Sequence, residues 1–245
     1  MAKWEDPKTL EGRLKWMEKK ANSKILNEND LLSIYILNNF IHDYLKETLE
    51  KVQKGELKAI ELKNKIKKTN SVNLKIAKLS YNKAIEYGKK KKYSKEYKIY
   101  DAPKSYYYEY NSSKKGYLQL TRKNILISNA VYNKAIMLSK GLGVKRNLSK
   151  AVDTFELIFS KGMHYVINEN KELKAKSAFN IALLYCKYPI SIIHMKTSIF
   201  YDPEISKLES LGMSQCSKFA KKALDLGYNK EKINKFLKLY DLESL

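Results

Sequence analysis

Histidine and cysteine, the side chains that most often carry out nucleophilic, acid–base or metal chemistry, are scarce in this chain of 245 residues. No two of the three histidines, His42, His164 and His194, have the i, i+4 spacing with which one helix face binds a metal. His42 is followed by Asp43, but adjacent positions on a helix point in different directions. The sequence also has no GxSxG, phosphate-loop or GxGxxG motif. We therefore predict a protein that is not an enzyme and that uses no metal and no cofactor.

Two cysteines, Cys186 and Cys216, are too few for a zinc motif or a small disulfide framework. Their scarcity favours a reducing, intracellular environment. The first residues, Met-Ala-Lys-Trp-Glu-Asp-Pro, contain no apolar signal core, and no run of about 18 apolar residues could form a transmembrane segment. We expect a cytoplasmic protein, with a mitochondrial protein that has no recognisable presequence as the alternative.

Positive charge is concentrated in the middle of the chain. The formal net charge is +22, of which residues 51–100 carry +12 and residues 101–150 carry +8. Such a region can raise the local concentration of an acidic partner. However, the chain has 45 lysines and only 3 arginines, beside abundant Asn, Ile and Tyr. An AT-rich genome produces the same bias, so the charge has two interpretations, a binding surface and codon usage.

The segment from Tyr87 to Tyr117 is rich in both tyrosine and lysine. Lysine can neutralise phosphates and tyrosine can stack on unpaired bases, as in single-strand binders, but tyrosine is also a favoured anchor of protein interfaces. We favour a protein interface, because recognition of phosphate and guanine favours arginine, which is rare here. Nucleic acid binding and a solvated loop are the alternatives. The candidate partner-binding residues in this segment are Lys89, Lys90, Lys91, Lys92, Tyr106, Tyr107 and Tyr108.

A five-residue sequence recurs along the chain. Tyr81–Ile85 is repeated word for word as Tyr132–Ile136, and Phe179–Leu183 is a looser copy. Their spacings of 51 and 47 residues indicate an array of stacked helical repeats. The fourth position of each copy is alanine, whose small side chain lets two helices approach closely. These alanines are Ala84, Ala135 and Ala182.

The residues after the second copy contain the start and stop signals of a helical hairpin. Gly141 and Gly143 can adopt positive φ and end the first helix. Asn147 or Ser149 can then cap a second helix, which we expect to end at Gly162.

This hairpin resembles a Sel1-like repeat, a relative of the tetratricopeptide repeat with a Gly-x-Gly-Val turn followed by Lys-Ala. The matching positions are Ala130, Ala135, Gly141, Gly143, Val144, Asn147, Lys150, Ala151, Phe155 and Gly162. The resemblance implies an adaptor without catalysis, whose concave groove holds another protein. In secreted Sel1-like proteins disulfides commonly bridge the helix pairs. Here about 25 residues replace the short turn between Cys186 and Cys216, so we expect two small buried apolar side chains instead of a bridge.

Asparagine recurs at the second position of each copy, as Asn82, Asn133 and Asn180. In such arrays the first helices line the concave side, and an amide can both donate to and accept from a peptide backbone. We therefore predict that these asparagines, together with Lys134, face a groove that binds a partner. Codon bias toward asparagine is the alternative explanation.

Together these patterns predict an all-α protein, an α-solenoid of Sel1-like, tetratricopeptide-like hairpins. We expect an N-terminal helical region (1–70), a repeat array (71–228) with insertions near 89–117 and 188–212, and a C-terminal capping helix (229–245). The predicted function is a protein-interaction scaffold or adaptor, an accessory subunit or assembly factor whose partner is acidic or part of a large assembly. The alternatives are an RNA- or ribonucleoprotein-associated protein that uses the Lys/Tyr segment, and a toxin-neutralising (immunity) or host-interaction protein.

Overall fold

The computed structural model describes residues 9–23, 28–101, 105–112, 118–159, 164–167, 169–188 and 205–242. Most of these residues are helical, as the sequence predicts. The helices are α1 (Leu10–Ser23), α2 (Glu28–Gln53), α3 (Ala59–Lys89), α4 (Tyr93–Asp101), α5 (Ser128–Lys140), α6 (Leu148–Glu156), α7 (Lys171–Lys187), α8 (Ile205–Asp225) and α9 (Lys230–Lys238). The strands are β1 (Tyr106–Ser112), β2 (Leu118–Ile127) and β3 (His164–Ile167).

The chain divides into two compact units. Unit 1 comprises residues 1–127 with 162–165, and unit 2 comprises residues 128–161 with 166–245. At residue 70, the predicted domain boundary, α3 continues as one helix that packs within unit 1. The division falls instead where β2 ends and α5 begins.

Unit 1 is built from the amphipathic helices α1, α2 and α3. Along α2 the buried residues Ile34, Leu37, Ile41 and Leu45 recur every three or four positions, the spacing of one helix face. They pack with buried residues of α1 and α3 into one apolar cluster. The cluster also takes in Tyr108 of β1, so the core of unit 1 joins the helices to the strands.

The strands form a small sheet that the all-α prediction did not include. β1 pairs antiparallel with β2, with Tyr108 opposite Arg122, and the strand order is β1-β2-β3. Residues 89–117 are predicted from the sequence to be an insertion between helices. In the described part of this stretch the structure instead has α4 and β1. Among the described strands, β1 lies at the edge of the sheet, with β2 as its neighbour.

Unit 2 begins with the hairpin of α5 and α6. Gly141 (φ +74°) and Gly143 (φ +67°) adopt the positive φ that the sequence predicts for the end of α5. The side chain of Asn147 accepts a hydrogen bond from the Lys150 N–H at 2.9 Å and caps α6. α6 ends at Glu156, whereas Gly162, its predicted end, lies outside the described residues.

A second helical pair, α7 and α8, is joined by a disulfide bond between Cys186 and Cys216. The expectation of two unbridged cysteines is therefore wrong. Although 30 positions separate them, the two helices pack along each other, and the Cα atoms of the cysteines lie 5.4 Å apart. The predicted C-terminal helix is present as α9, which buries Ile233, Phe236 and Leu237.

Each copy of the recurring five-residue sequence lies in the first helix of a packed pair. The pairs are α3 with α4, α5 with α6, and α7 with α8. Ala84, Ala135 and Ala182 are all 0% exposed, as expected for the small residue of a close helix crossing.

Among the described helices, none combines the length and the apolar character needed to cross a lipid bilayer.

Candidate peptide-binding groove

Two asparagines of α3 hydrogen-bond to the free edge of β1. The Asn70 side chain donates to the Tyr108 carbonyl and accepts from the Tyr108 N–H, both at 2.8 Å. One turn further along α3, Asn73 donates to the Tyr106 carbonyl at 2.7 Å. The Asn70 amide thus occupies the place that a neighbouring strand would take. α3 runs antiparallel to β1 along this edge.

The backbone of Tyr110 lies on the same edge but receives no such cap. In an antiparallel ladder the residues that turn their N–H and C=O groups away from the partner strand alternate along the chain. Because Tyr108 turns these groups toward Asn70, Tyr110 must turn its own in the same direction. Two strand residues advance about 7 Å and one helical turn about 5 Å, so the α3 residues level with Tyr110 are Ile66 and Lys67. No side chain of the described residues hydrogen-bonds to the Tyr110 backbone.

A groove runs along this contact between α3 and β1, on both sides of Asn70, and we call it the α3–β1 groove. Its volume is about 580 Å³, within the range of ligand-binding clefts. The residues that line it are Lys63, Ile66, Lys67, Asn70, Ser71, Leu74, Tyr107, Tyr108, Glu109, Tyr110 and Asn111.

The α3–β1 groove is positively charged. Lys63 and Lys67 are exposed and stand one turn apart on α3. The one carboxylate of the lining, Glu109, forms an ion pair with Lys123 of β2 at 2.7 Å, so its charge is already balanced. The Lys63 ammonium lies 5.9 Å from the centre of the Tyr110 ring, within the range of a cation–π contact. The groove can therefore offer two cations to an anionic ligand.

The side chain of Tyr108 packs β1 against the helices of unit 1. Its side chain is 1% exposed, its hydroxyl donates to the Asn38 carbonyl at 3.3 Å, and its ring stacks on His42 at 5.9 Å. Burial raises the pKa of the Tyr108 hydroxyl and, together with the nearby Arg122 and Lys46 charges, lowers the pKa of His42. Both side chains are therefore uncharged at neutral pH. Tyr108, which the sequence analysis assigned to a partner surface, is a core residue.

The other residues of the predicted Lys/Tyr surface are not gathered in one place. Tyr107 lines the α3–β1 groove, whereas Tyr106 is half-buried with the Arg122 guanidinium 4.3 Å above its ring. Lys89, Lys90, Lys91 and Lys92 are exposed at the turn between α3 and α4 and do not line the groove.

The predicted asparagine ladder is divided between the two units. Asn82 is exposed on α3 of unit 1, whereas Asn133 and Asn180 lie half-buried in unit 2, as does Lys134. The Asn180 amide donates to the Tyr132 hydroxyl at 3.1 Å and to the Lys176 carbonyl at 2.9 Å. Its donor is therefore used within unit 2.

Sequence reasoning missed the residues that shape the groove, which are Lys63, Lys67, Asn70, Asn73 and Tyr110. One signal was present. Asn70 and Asn73 occupy core-facing positions of an amphipathic helix, between the buried Ile66 and Ile76. A buried amide needs a hydrogen-bond partner, so this placement indicates a backbone edge beside α3.

No known protein family, no curated protein and no solved structure matches this chain.

Proposed function

We propose that the protein is a non-catalytic interaction module, an adaptor or scaffold that captures another protein at the α3–β1 groove. The observation that carries this proposal is the α3–β1 groove, in which two exposed lysines, Lys63 and Lys67, have no unbalanced carboxylate beside them. Such a positively charged groove can raise the local concentration of an acidic segment of another protein. Such a module suits an accessory subunit or assembly factor of a larger complex.

The groove is better suited to a peptide than to a nucleic acid. Sequence-tolerant binding of single strands needs aromatic faces on which bases stack. Tyr107 and Tyr110 are at most half-exposed, and Tyr108 is buried. The groove therefore offers positive charge but little exposed aromatic surface.

The relation to Sel1-like repeats is part of the proposal. The α5–α6 hairpin supports it, because its glycine turn and its Asn147 cap have the form that the resemblance implies. Three successive helical pairs, each with a buried alanine in its first helix, are also what an array of such repeats would contain.

The proposal is tested by affinity capture from a nuclease-treated native extract. The test variant is Lys63→Glu with Lys67→Glu. The matched control is Lys68→Glu with Lys78→Glu, which changes two exposed lysines of the same helix that do not line the groove. We expect the wild type and the control to recover the same proteins and the groove variant to lose them.

Equal recovery by the groove variant would place the partner elsewhere and contradict the proposal. If an untreated extract yields captured material that nuclease removes, and replacing Lys89, Lys90, Lys91 and Lys92 with glutamine also removes it, the protein binds nucleic acid instead. Circular dichroism and thermal melting of every variant establish that the fold is retained.

A further inference from the structure

We propose that the core of unit 1 binds about two ordered water molecules, which complete the hydrogen bonds of a layer of polar side chains between α2 and α3. The layer consists of Asn38 and His42 of α2 and of Thr69 and Asn73 of α3, and we call it the buried polar layer. This inference concerns the interior of the unit and does not depend on the proposed function.

The polar atoms of this layer lie inside an apolar core. Asn38, Thr69 and Asn73 are each 0% exposed, and the cluster of buried side chains that α2 and α3 share is apolar. The atoms without a hydrogen-bond partner in the described part of the chain are Asn38 Nδ2 and Oδ1, His42 Nδ1, Thr69 Oγ1 and Asn73 Oδ1. Burial of a polar atom costs free energy unless the atom is hydrogen-bonded, so nearly all such atoms in native proteins have a partner. The layer therefore indicates a small ligand between the helices.

The positions of the four side chains along the two helices place them at one level. α2 and α3 are consecutive helices that are in contact and are joined by a short turn, so they run antiparallel. Asn38 and Asn73 lie equally far from this turn, to within one residue, and so do His42 and Thr69. Since every helix has the same rise per residue, Asn38 lies level with Asn73, and His42 lies level with Thr69.

The contacts of Tyr108 support this placement. Its backbone exchanges two hydrogen bonds with Asn70 of α3, which is next to Thr69. Its hydroxyl donates to the Asn38 carbonyl of α2 at 3.3 Å, and its ring stacks on His42 with the ring centres 5.9 Å apart. One residue of β1 therefore reaches both helices at the level of the buried polar layer.

The ligand must both donate and accept hydrogen bonds. The amide nitrogen of Asn38 is a donor, the amide oxygens of Asn38 and Asn73 are acceptors, and the Thr69 hydroxyl is both. A metal cation cannot accept from the Asn38 N–H, and an anion without hydrogen cannot donate to the two oxygens. Water does both and makes about three hydrogen bonds when it is buried in a protein, so about two water molecules suffice for the layer.

Replacement of Thr69 by valine, which has the same shape, tests whether the hydroxyl has a partner. If water binds the hydroxyl, Thr69→Val removes a hydrogen bond and lowers the urea midpoint of unfolding. The matched control is Thr48→Val, since Thr48 of α2 is also buried and its hydroxyl donates to the Tyr44 carbonyl at 2.8 Å. We expect the midpoint to fall in both variants. An unchanged or raised midpoint for Thr69→Val would mean that the hydroxyl has no partner in the wild type, and it overturns the inference.

Oxygen-17 magnetic relaxation dispersion of the full chain tests for the water itself, because its amplitude counts the water molecules that stay bound longer than the protein takes to rotate. The test variant is Asn38→Leu with Thr69→Val, which replaces polar groups on both helices by apolar groups of similar size. We expect its amplitude to fall by about one or two water molecules, whereas Thr48→Val should keep the wild-type amplitude.

An equal amplitude in the wild type and the test variant overturns the inference, because the polar atoms would then be satisfied without water. Circular dichroism and thermal melting establish that each variant is folded. If Asn38→Leu with Thr69→Val does not fold, Thr69→Val alone is compared with Thr48→Val, and we expect only Thr69→Val to lose amplitude. Equal amplitudes in these two variants overturn the inference in the same way.

Discussion

Units 1 and 2 are both mainly helical, but their interiors are held together differently. Unit 2 uses a disulfide between α7 and α8 and a group of aromatic contacts around Phe179. Its ring stacks on Tyr228 at 4.5 Å and meets Phe236 edge-on at 5.3 Å. In the described part of unit 2, no buried side-chain nitrogen or oxygen lacks a hydrogen-bond partner. Apolar contacts and one covalent bond therefore hold the interior of unit 2 together.

Unit 1 encloses polar atoms in its core. Both side-chain polar atoms of Asn38, the Nδ1 of His42, the Oγ1 of Thr69 and the Oδ1 of Asn73 are buried without a hydrogen-bond partner among the described residues. A buried unpaired polar group costs about 1–3 kcal/mol. The same region supplies the amides that cap the edge of β1. Unlike unit 2, the described part of unit 1 therefore keeps buried polar atoms without partners, on the helices that pack against β1.

The largest effect is expected for Ala135→Glu in unit 2. Ala135 is 0% exposed, so the substitution forces a carboxylate into a close helix crossing and should lower the free energy of unfolding by about 4 kcal/mol or more. The matched control is Asn129→Glu, which adds the same charge at an exposed position of α5. Urea unfolding followed by circular dichroism measures both. If Asn129→Glu lowers the free energy of unfolding as much as Ala135→Glu does, α5 tolerates no added charge. The effect would then not depend on the close packing of Ala135.

The next effect concerns the disulfide. Replacing Cys186 and Cys216 together by alanine should lower the free energy of unfolding of unit 2 by roughly 3–4 kcal/mol, since the bond closes a loop of 30 positions. Hydrogen exchange resolved by segment should show faster opening of α7 and α8 and unchanged opening of α2. Equal acceleration in α2 would mean that the two units unfold as one, and the comparison between them would fail.

Within unit 1, Asn70→Leu should lower the free energy of unfolding by about 1–3 kcal/mol. The change keeps the size of the side chain but leaves the N–H and C=O of Tyr108 without their partner. Asn64→Leu, at an exposed position of the same helix, is the matched control and should change stability by less than about 0.5 kcal/mol. If the two variants melt alike, the Asn70 amide does not hold the strand edge.

How much the sequence predicted depended on the range of the interactions involved. Gly141 and Asn147 were correctly placed at the end of α5 and the start of α6, because helix caps are local and need only neighbouring residues. Ala84, Ala135 and Ala182 were correctly expected to be buried, because their recurrence revealed a shared packing position.

The strands and the groove were missed for identifiable physical reasons. Tyr106, Tyr107 and Tyr108 are identical, so the sequence shows no alternation of polar and apolar residues, although only Tyr108 is fully buried. The contact between Asn70 and Tyr108 joins positions 38 apart, which no local pattern reveals. The disulfide was rejected because of the long segment before Cys216, yet segment length does not prevent two helices from packing side by side.

The smallest expected effect is on the pH dependence of stability in unit 1. It concerns two glutamates, Glu96 and Glu86, whose pKa values are shifted in opposite directions. Glu96 of α4 is buried against Gly88, and its carboxylate accepts from the Tyr100 hydroxyl at 3.1 Å. No lysine or arginine in the described part of the chain forms an ion pair with it. Glu86 of α3 is instead held between Lys90 and Lys83 at 2.7 and 2.9 Å.

Burial raises the pKa of Glu96, so the folded state binds its proton more tightly than the unfolded state does. Its contribution to stability is greatest below the ordinary glutamate pKa and falls as the pH rises through the raised value. Glu96→Gln should therefore raise the free energy of unfolding at neutral pH, by less than about 1 kcal/mol since the Tyr100 bond compensates part of the burial.

Hydrogen bonds from Lys90 and Lys83 lower the pKa of Glu86 to about 2, so its contribution is present above pH 4.5 and is lost as the pH falls toward 2. Glu86→Gln should lower stability at neutral pH and bring it level with the wild type in acid. Urea unfolding from acid to neutral pH measures the free energy of unfolding of both variants. If Glu96→Gln lowers this free energy at neutral pH, the buried carboxylate stabilises the fold, and the prediction for Glu96 is wrong.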